Sequence, residues 1–580
     1  MPRQLNISIG QHSDKGRKDA NQDFHGAMIP AEPARSLKGI ALALADGISS
    51  SAVGRDAAES AVGSFLADYY CTSDSWSVKT SAQRVIAAAN SWLHAQTRRS
   101  RHAYERDRGY VCTLTVMVLK SRTAHLFHVG DCRVYRLVGQ ALEQLTEDHR
   151  VVASSQENWL GRALGMNGQV EIDYRAVPIE QGDVLVMATD GVYEHVSDRF
   201  VVQAIAEEAA DLDRAAQRIV AKALENGSPD NLTLQIVRVD ELPDGEAVEV
   251  LTQSTELPLP PLLEPRALFD GYRIVREIHG SARSHAYLAV DSGDESLVVL
   301  KIPSIELRQD PAYLRRFMME EWVARRLDNA HVLKVREPNR ARRFLYVATE
   351  YIEGQTLTQW MIDHPRPALD TVRDIVGQIA TGLQAFHRKE MLHQDLRPEN
   401  VMIDRTGTVK IIDFGSTRVS GIAEADPAAG RADAILGTVQ YTAPEYFLGE
   451  AGTTRSDLFS LGVIAYQMLT GNLPYGARMA RTRSRSEQRK VAYVPAAGEG
   501  RDLPAWVDGA LRKAVHPDPL KRYAELSEFV HDLRRPNAEV LDANPAPLLE
   551  RNPLLFWKSL SLALAVALLL LLAFHFDLGR

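Results

Sequence analysis

Two stretches, Glu241–Pro265 and Pro536–Pro553, are too rich in proline and too poor in periodic apolar residues to form regular elements. They cut the 580-residue chain into blocks of residues 1–240 and 266–535, each long enough for its own core. The first stretch, residues 241–265, reads as a Pro/acidic linker. The second, residues 536–553, reads as a juxtamembrane spacer. Beyond it, Ser559–Phe576 carries no formal charge, counting His575 as neutral. Residues 554–576, at about 1.5 Å per residue, are long enough to cross a hydrocarbon core of about 30 Å. Leu568–Leu572 shows none of the polar face that a helix of a soluble domain presents.

Arg551 and Lys558 flank this run on its N-terminal side, and the N-terminal residues lack the apolar segment of a signal peptide. The expectation is a single-pass tail anchor in the cytoplasmic membrane, with both blocks cytosolic and no extracellular sensor. A net charge of −8, from 67 basic and 75 acidic residues, supplies no reason to expect nucleic-acid binding. The basic run Arg478–Lys490 reads as solvated surface. Three cysteines without a CxxC pair exclude a disulfide framework and a cysteine zinc site, and point to a reducing compartment.

In the first block, Ile40–Ala45, Val111–Leu119, Ala124–Val129, Val184–Ala188 and Leu232–Val239 read as strands. Ser51–Tyr70 and Ser81–Thr97 have helical spacing, so sheets covered by helices are predicted. Aspartates recur at the strand ends: Asp46, Asp131, Asp190 and Asp230, with Asp23 earlier. One Asp-Gly after a strand is ordinarily a turn. Several converging would instead form an oxygen-rich site suited to magnesium or manganese.

The ordered motifs Asn21-Gln22-Asp23, Ala45-Asp46-Gly47, Gly130-Asp131-Cys132-Arg133, Thr189-Asp190-Gly191 and Ser228-Pro229-Asp230-Asn231 resemble the metal-dependent type 2C protein phosphatases. The resemblance implies an αβ/βα-layered sandwich with a two-metal centre. In it Asp46 and the Gly47 carbonyl would ligate metal, Asp190 and Asp230 would complete the shell, and Asp23 would act through bound water. Asp131 would hold a third ion, and Lys18 stands where the family has an arginine for substrate phosphate. Two cations about 4 Å apart lower the pKa of bridging water and stabilise the entering and leaving oxygens of a phosphate ester.

The second block contains Val299-Leu300-Lys301, Phe317-x-x-Glu320, Glu350-Tyr351-Ile352, His393-Gln394-Asp395-x-Arg397-x-x-Asn400, Asp413-Phe414-Gly415 and Ala443-Pro444-Glu445. In this order they resemble a serine/threonine protein kinase of two lobes. The resemblance implies ATP and Mg2+ as cofactors, with Lys301 on the phosphates, paired with Glu320 or, one residue on, Glu321. Ile278, Ala286, Glu350 and Ile352 would line the nucleotide. Asp395 would orient the substrate hydroxyl, Arg397 would face the γ-phosphate, and Asn400 and Asp413 would hold magnesium.

Two departures stand out. In Ile278–Tyr287, His279, Ser281 and Ser284 occupy the usual glycine positions, which weakens backbone approach to phosphate. Gln394 replaces the arginine that commonly contacts an activation-loop phosphate, so phosphorylation of Thr438 is not expected to act through it.

The whole reads as a multidomain α+β chain: a membrane-tethered enzyme that phosphorylates protein Ser/Thr residues and hydrolyses phospho-Ser/Thr. Mn2+ or Mg2+, two or three ions, would serve the first block. Protein substrates are the expected partners, this chain itself among them. The alternative is an active phosphatase regulated by a weak or inactive nucleotide-binding module.

Overall fold

The computed structural model describes residues 4–101, 103, 105, 108–154, 157–243, 257–280, 284–304, 310–336, 340–424, 439–497, 503–537 and 557–567. The first block holds strands β1 (Asn6–Asp14), β2 (Asp23–Met28), β3 (Ile40–Asp46), β4 (Leu114–Lys120), β5 (Thr123–Val129) and β6 (Arg133–Val138). It continues through β7 (Ala141–Gln144), β8 (Arg150–Ser154), β9 (Glu157–Leu160), β10 (Asp173–Pro178), β11 (Val184–Ala188) and β12 (Leu232–Glu241). Helices α1 (Ala34–Lys38), α2 (Gly54–Tyr69) and α3 (Val78–Arg99) lie between β2 and β4. Helices α4 (Asp190–Tyr193), α5 (Asp198–Glu207) and α6 (Leu212–Glu225) lie between β11 and β12.

Two five-stranded sheets form, in the orders β1-β12-β11-β6-β7 and β10-β5-β4-β3-β2. The alternation within β3 explains the layering. Ile40, Leu42 and Leu44 enter the core between the sheets beside Met187 and Val237. Ala41, Ala43 and Ala45 face outward under α2 and α3, where small side chains let the helices approach. On the other sheet, Val186, Leu234 and Ile236 pack against the Ala215–Ala223 face of α6. A strand buried on both faces has no polar side, so it reads as a continuous apolar run.

The predicted strand at Val111–Leu119 begins later, at Leu114. Cys112 instead bridges Gly47 and Leu164 as an isolated pair. The three cysteines are free, with Cys112 and Cys132 buried.

The second block opens with an antiparallel sheet of β13 (Leu268–Phe269), β14 (Tyr272–Gly280), β15 (Ser284–Asp291), β16 (Leu297–Pro303) and β17 (Val347–Glu350), in that order. A helical lobe follows, built on Leu369–Arg388, Thr454–Thr470, Ala505–Ala514 and Leu526–Arg534 around one apolar core. The end of the stretch read as linker belongs to the sheet lobe. Leu263 is buried in its core, and the Leu345 N–H donates to the Pro258 carbonyl at 3.0 Å. Residues 244–256 of that stretch lie outside the described residues. Apolar side chains at Leu257, Leu259 and Leu263 explain the difference, since they gain burial by docking.

Of the span read at residues 554–576, residues 557–567 are described, as a helix exposed along its length. Among the described residues no helix is long and apolar enough to cross a membrane.

Candidate active sites

One end of the sandwich gathers the aspartates. Asp23 and Asp46 are directly paired across β2 and β3. Asp190 follows β11, Asp230 precedes the adjacent β12, and Asp131 lies between β5 and β6. Asp23 is buried; its Oδ2 accepts from the hydroxyls of Thr189 at 3.0 Å and Thr233 at 2.7 Å. Its Oδ1 is buried without a hydrogen-bond partner.

Burial, opposed by those threonine bonds, raises the Asp23 pKa to about 6. Burial and then the charges of Asp131 and Asp230 raise Asp190 to about 7. Asp46 is pushed well above the ordinary carboxylate range by burial, then by Asp23, Asp190, Asp131 and Asp230. Carboxylates held together against their own repulsion, one with an unpartnered buried oxygen, fit divalent cations. Among the described residues no three acidic, histidine or cysteine side chains close around one point as a ready-made cage. A hard cation that keeps several waters needs only one or two carboxylates, so such a cage is not required.

The backbone around Gly47 is crowded: a Cβ there would lie 2.4 Å from Gly54 backbone atoms. Only glycine lets the chain turn beside Asp46. Lys18, expected to meet substrate phosphate, donates to Asp230 at 3.2 Å and to Ser49 Oγ at 3.2 Å. Arg150, unremarked in the sequence, reaches Asp131 at 2.8 Å, Asp190 at 3.0 Å and Glu194 at 2.6 Å. Thr189 stood inside a recognised motif and Thr233 two residues beyond another, so their clamp on Asp23 had a signal; Arg150 had none.

In the second block, Lys301 on β16 lies opposite Ala286 of β15. Its ammonium donates to Glu320 at 2.6 Å and sits 3.6 Å from Asp413. Burial works against that charge, yet Asp413 and Glu320 outweigh it and raise the Lys301 pKa. The structure resolves the choice between neighbours, because Glu321 turns to Arg325 at 2.6 Å and Arg342 at 2.9 Å. Asp413 adopts a positive φ of 66°, and the Lys301 charge holds its carboxyl below the usual range.

Asp395 follows the short strand Met391–Leu392. Its backbone carbonyl accepts from Asn400 Nδ2 at 2.8 Å and its Oδ2 at 3.2 Å, while Arg397 lies 3.6 Å away. Burial raises the Asp395 pKa. Asp457 props the loop, accepting from the His393 and Gln394 N–H groups at 3.0 Å each and from His387 at 2.9 Å.

Of the expected nucleotide contacts, Ile278 is exposed on β14 and Ile352 is buried. The Glu350 carboxylate is taken by Lys410 at 2.7 Å, and its N–H donates to the Lys334 carbonyl at 3.0 Å. Ser281 and Thr438 lie outside the described residues. In the basic run, Arg485 pairs with Glu450 at 2.7 Å.

Comparison with known proteins finds a relative for each of the two domains. The family profile described as "Protein kinase domain" matches residues 272–532, and "Protein phosphatase 2C" matches residues 11–226. The serine/threonine-protein kinase PknL of Mycobacterium tuberculosis is 32% identical over 276 residues, covering 47% of this chain and 67% of PknL. The serine/threonine-protein kinase PrkC of Bacillus subtilis is 29% identical over 269 residues, covering 45% of this chain but only 40% of PrkC. A solved structure of the Mycobacterium tuberculosis serine/threonine phosphatase PstP/Ppp is 24% identical and covers 40% of this chain and 99% of that chain, with a TM-score of 0.35. The chain belongs to the serine/threonine protein kinases, with a protein phosphatase 2C domain joined ahead of the kinase domain.

Proposed function

We propose that the chain is a bifunctional signalling enzyme that phosphorylates Ser/Thr residues of proteins with ATP and hydrolyses phospho-Ser/Thr. The observation that carries this reading is the presence of two separate acidic centres, each with its supporting partners. Lys301, held charged by Glu320, would bind the nucleotide phosphates, and Asn400 and Asp413 would hold magnesium. Asp395, braced by Asn400 and next to Arg397, would orient the attacking hydroxyl and take its proton.

In the phosphatase, Asp46, Asp190 and Asp230 would hold the metals with the Gly47 carbonyl, and Asp131 a further one. Bound cations would supply an activated water and a counter-charge for the phosphoryl oxygens. Thr189 and Thr233 fix Asp23, which would orient metal-bound water. Lys18 would have to leave Asp230 to meet a phosphate, so its present ion pair keeps a cation poised at the rim. Radiolabelled ATP and a phosphopeptide, offered to the full chain and to single-site variants, test both halves.

The carboxylates make a pH prediction. Asp23 near 6 and Asp190 near 7 both lie above their ordinary 3.8, so the metal-free folded state binds protons more tightly than the unfolded state. Stability from these groups is fully present below their unfolded pKa and is lost as pH rises through 6 to 7. In EDTA, the melting temperature of the phosphatase transition is expected to fall between about pH 5 and pH 8. Manganese at one fixed concentration, a hundredfold above its Kd at pH 8, is expected to raise it by about 5–10 °C at pH 8, and less at pH 5. Equal shifts at both pH values would refute the assignment of these carboxylates.

We further propose that residues 554–576 tether the protein to a membrane. The charge-free run Ser559–Phe576 supports this, as do Leu562, Leu564 and Val566, which stand exposed on the helix. Full-length protein should sediment with membranes and resist alkaline extraction, whereas protein lacking residues 554–580 should not. Extraction of the full-length protein by carbonate would remove the reading.

A further inference from the structure

Among the described residues, the phosphatase domain meets the kinase domain through the segment Asp74–Thr80 and Lys120, with helix α1 lying against Ser420–Ala423. The kinase groups that meet the segment come from three separate places. Arg326, just past the helix Pro311–Ala324 that carries Glu320, pairs with Asp74 at 3.2 Å. Just before the Asp395 loop, the Arg388 carbonyl accepts from the Trp76 indole at 3.0 Å, and the Glu390 carboxylate accepts from the Ser77 N–H at 2.7 Å. Beyond Asp413-Phe414-Gly415, the Gly421 N–H donates to the Ser75 carbonyl at 3.0 Å. There too the Glu424 carboxylate accepts from the Val78 N–H at 3.0 Å.

Two details show that this is a fitted contact. Lys120 is 1% exposed, and its ammonium donates to the Gly421 carbonyl at 2.6 Å and to Glu424 at 3.2 Å. A buried ammonium is costly unless paired, and both groups to which it donates come from the kinase. A Cβ on Gly421 would lie 2.8 Å from the backbone oxygens of Asp74 and Trp76, so the close approach requires glycine. The Glu390 and Glu424 carboxylates also cap the first turn of α3, where free N–H groups and the helix dipole favour anions.

From this geometry we infer that Lys120 and Gly421 are positioning residues for phosphoryl transfer, through which the phosphatase domain holds the start of the kinase activation segment in its working place. This rests on the kinase reading above. The segments bearing Glu320, Asp395 and Asp413 are separate in sequence, and Asp74–Val78 bridges all three. Within the kinase, the segment start is secured by pairing of Arg418–Val419 with Met391–Leu392. Gln394 offers no cation to anchor a phosphate; its amide donates to the Tyr446 hydroxyl at 3.3 Å. The docked arrangement is the assembled one, with Lys301, Glu320 and Asp413 together.

The test uses full-length protein carrying Lys120→Met, which keeps volume but removes the ammonium, or Gly421→Val, which blocks the approach from the kinase side. Peptide phosphorylation, metal-dependent hydrolysis of p-nitrophenyl phosphate and hydrogen exchange over residues 416–424 are measured on each. For Lys120→Met, the expected result is a fall in kinase kcat of about fivefold or more with the KM for ATP within about twofold of wild type. Exchange over residues 416–424 should rise and phosphatase kcat should be unchanged; Gly421→Val should match. A Lys120→Met kinase kcat within about twofold of wild type, or unchanged exchange over the segment, overturns the inference. So does an equal loss of both activities in the two variants, which would make the contact a folding contact only. A wild-type chain that transfers no phosphate would fail the kinase reading, and the exchange measurement would still report on the docking.

Discussion

Asp46→Ala protein is expected to lose metal-dependent hydrolysis of a phosphopeptide by about a thousandfold or more in kcat/KM, equivalent to about 4 kcal/mol of transition-state stabilisation. Asp46 sits at the end of β3 against Asp23, where burial and four neighbouring carboxylates oppose its ionisation. Only a bound cation makes that crowding useful. The alanine variant should therefore also bind manganese more weakly by calorimetry. In EDTA its folded domain should be no less stable than wild type, because a repelled buried charge has been removed. Loss of activity with full retention of manganese binding would place the metals elsewhere. Activity equal to wild type would refute the assignment of the centre.

Asp395→Ala, made in an Asp46→Ala background so that product is not removed, is expected to reduce phosphate transfer from ATP by about a thousandfold. Lys301→Met should do the same for a different reason. It removes the cation that both Glu320 and Asp413 face and leaves the buried Glu320 carboxylate without its counter-charge. The two variants should separate on ligand binding. Asp395→Ala should hold ATP–magnesium with near wild-type affinity, and Lys301→Met should bind it more weakly. Retained label incorporation in both variants would refute the kinase assignment. The altered glycine positions in Ile278–Tyr287 predict a raised KM for ATP in the intact protein, but not a lost kcat.

If the two proposed activities act in one chain, labelling experiments will show it. Self-phosphorylated protein would be erased by its own phosphatase domain, so label should accumulate in Asp46→Ala and not in wild type. That comparison reports on both sites at once.

Much of the two centres was legible before any coordinates. Asp46, Asp190 and Asp230 each stand beside a strand within a short motif, and Asp395, Asn400 and Asp413 keep fixed spacings within a few dozen residues. Such groups are placed by local geometry: a strand ends, a turn follows, and the side chain is aimed. The layered sandwich followed from apolar runs like Ile40–Ala45, whose alternate residues face two different cores. The choice between Glu320 and Glu321 was not legible. One residue of helix is about 100° of rotation, and only packing decides which carboxylate turns toward Lys301. The role of Lys18 was likewise visible only as a charge; its partner, Asp230, lies at the far end of the domain sequence.

Residue type and spacing along the chain were enough to name two domain types, their order and candidate residues for each centre, because motifs are short and their backbone geometry is nearly self-contained. Contacts such as Lys120 with Gly421, or Trp76 with Arg388, join residues about three hundred positions apart. A buried lysine and an unremarkable glycine carry no signal in sequence, since either is equally at home in a solvated loop. Their meaning comes from desolvation and close approach, which arise only when two folded surfaces meet. The proline-rich stretches could not reveal that the two folded units touch. Linker composition limits reach, whereas docking depends on the shape and polarity of surfaces assembled from distant segments.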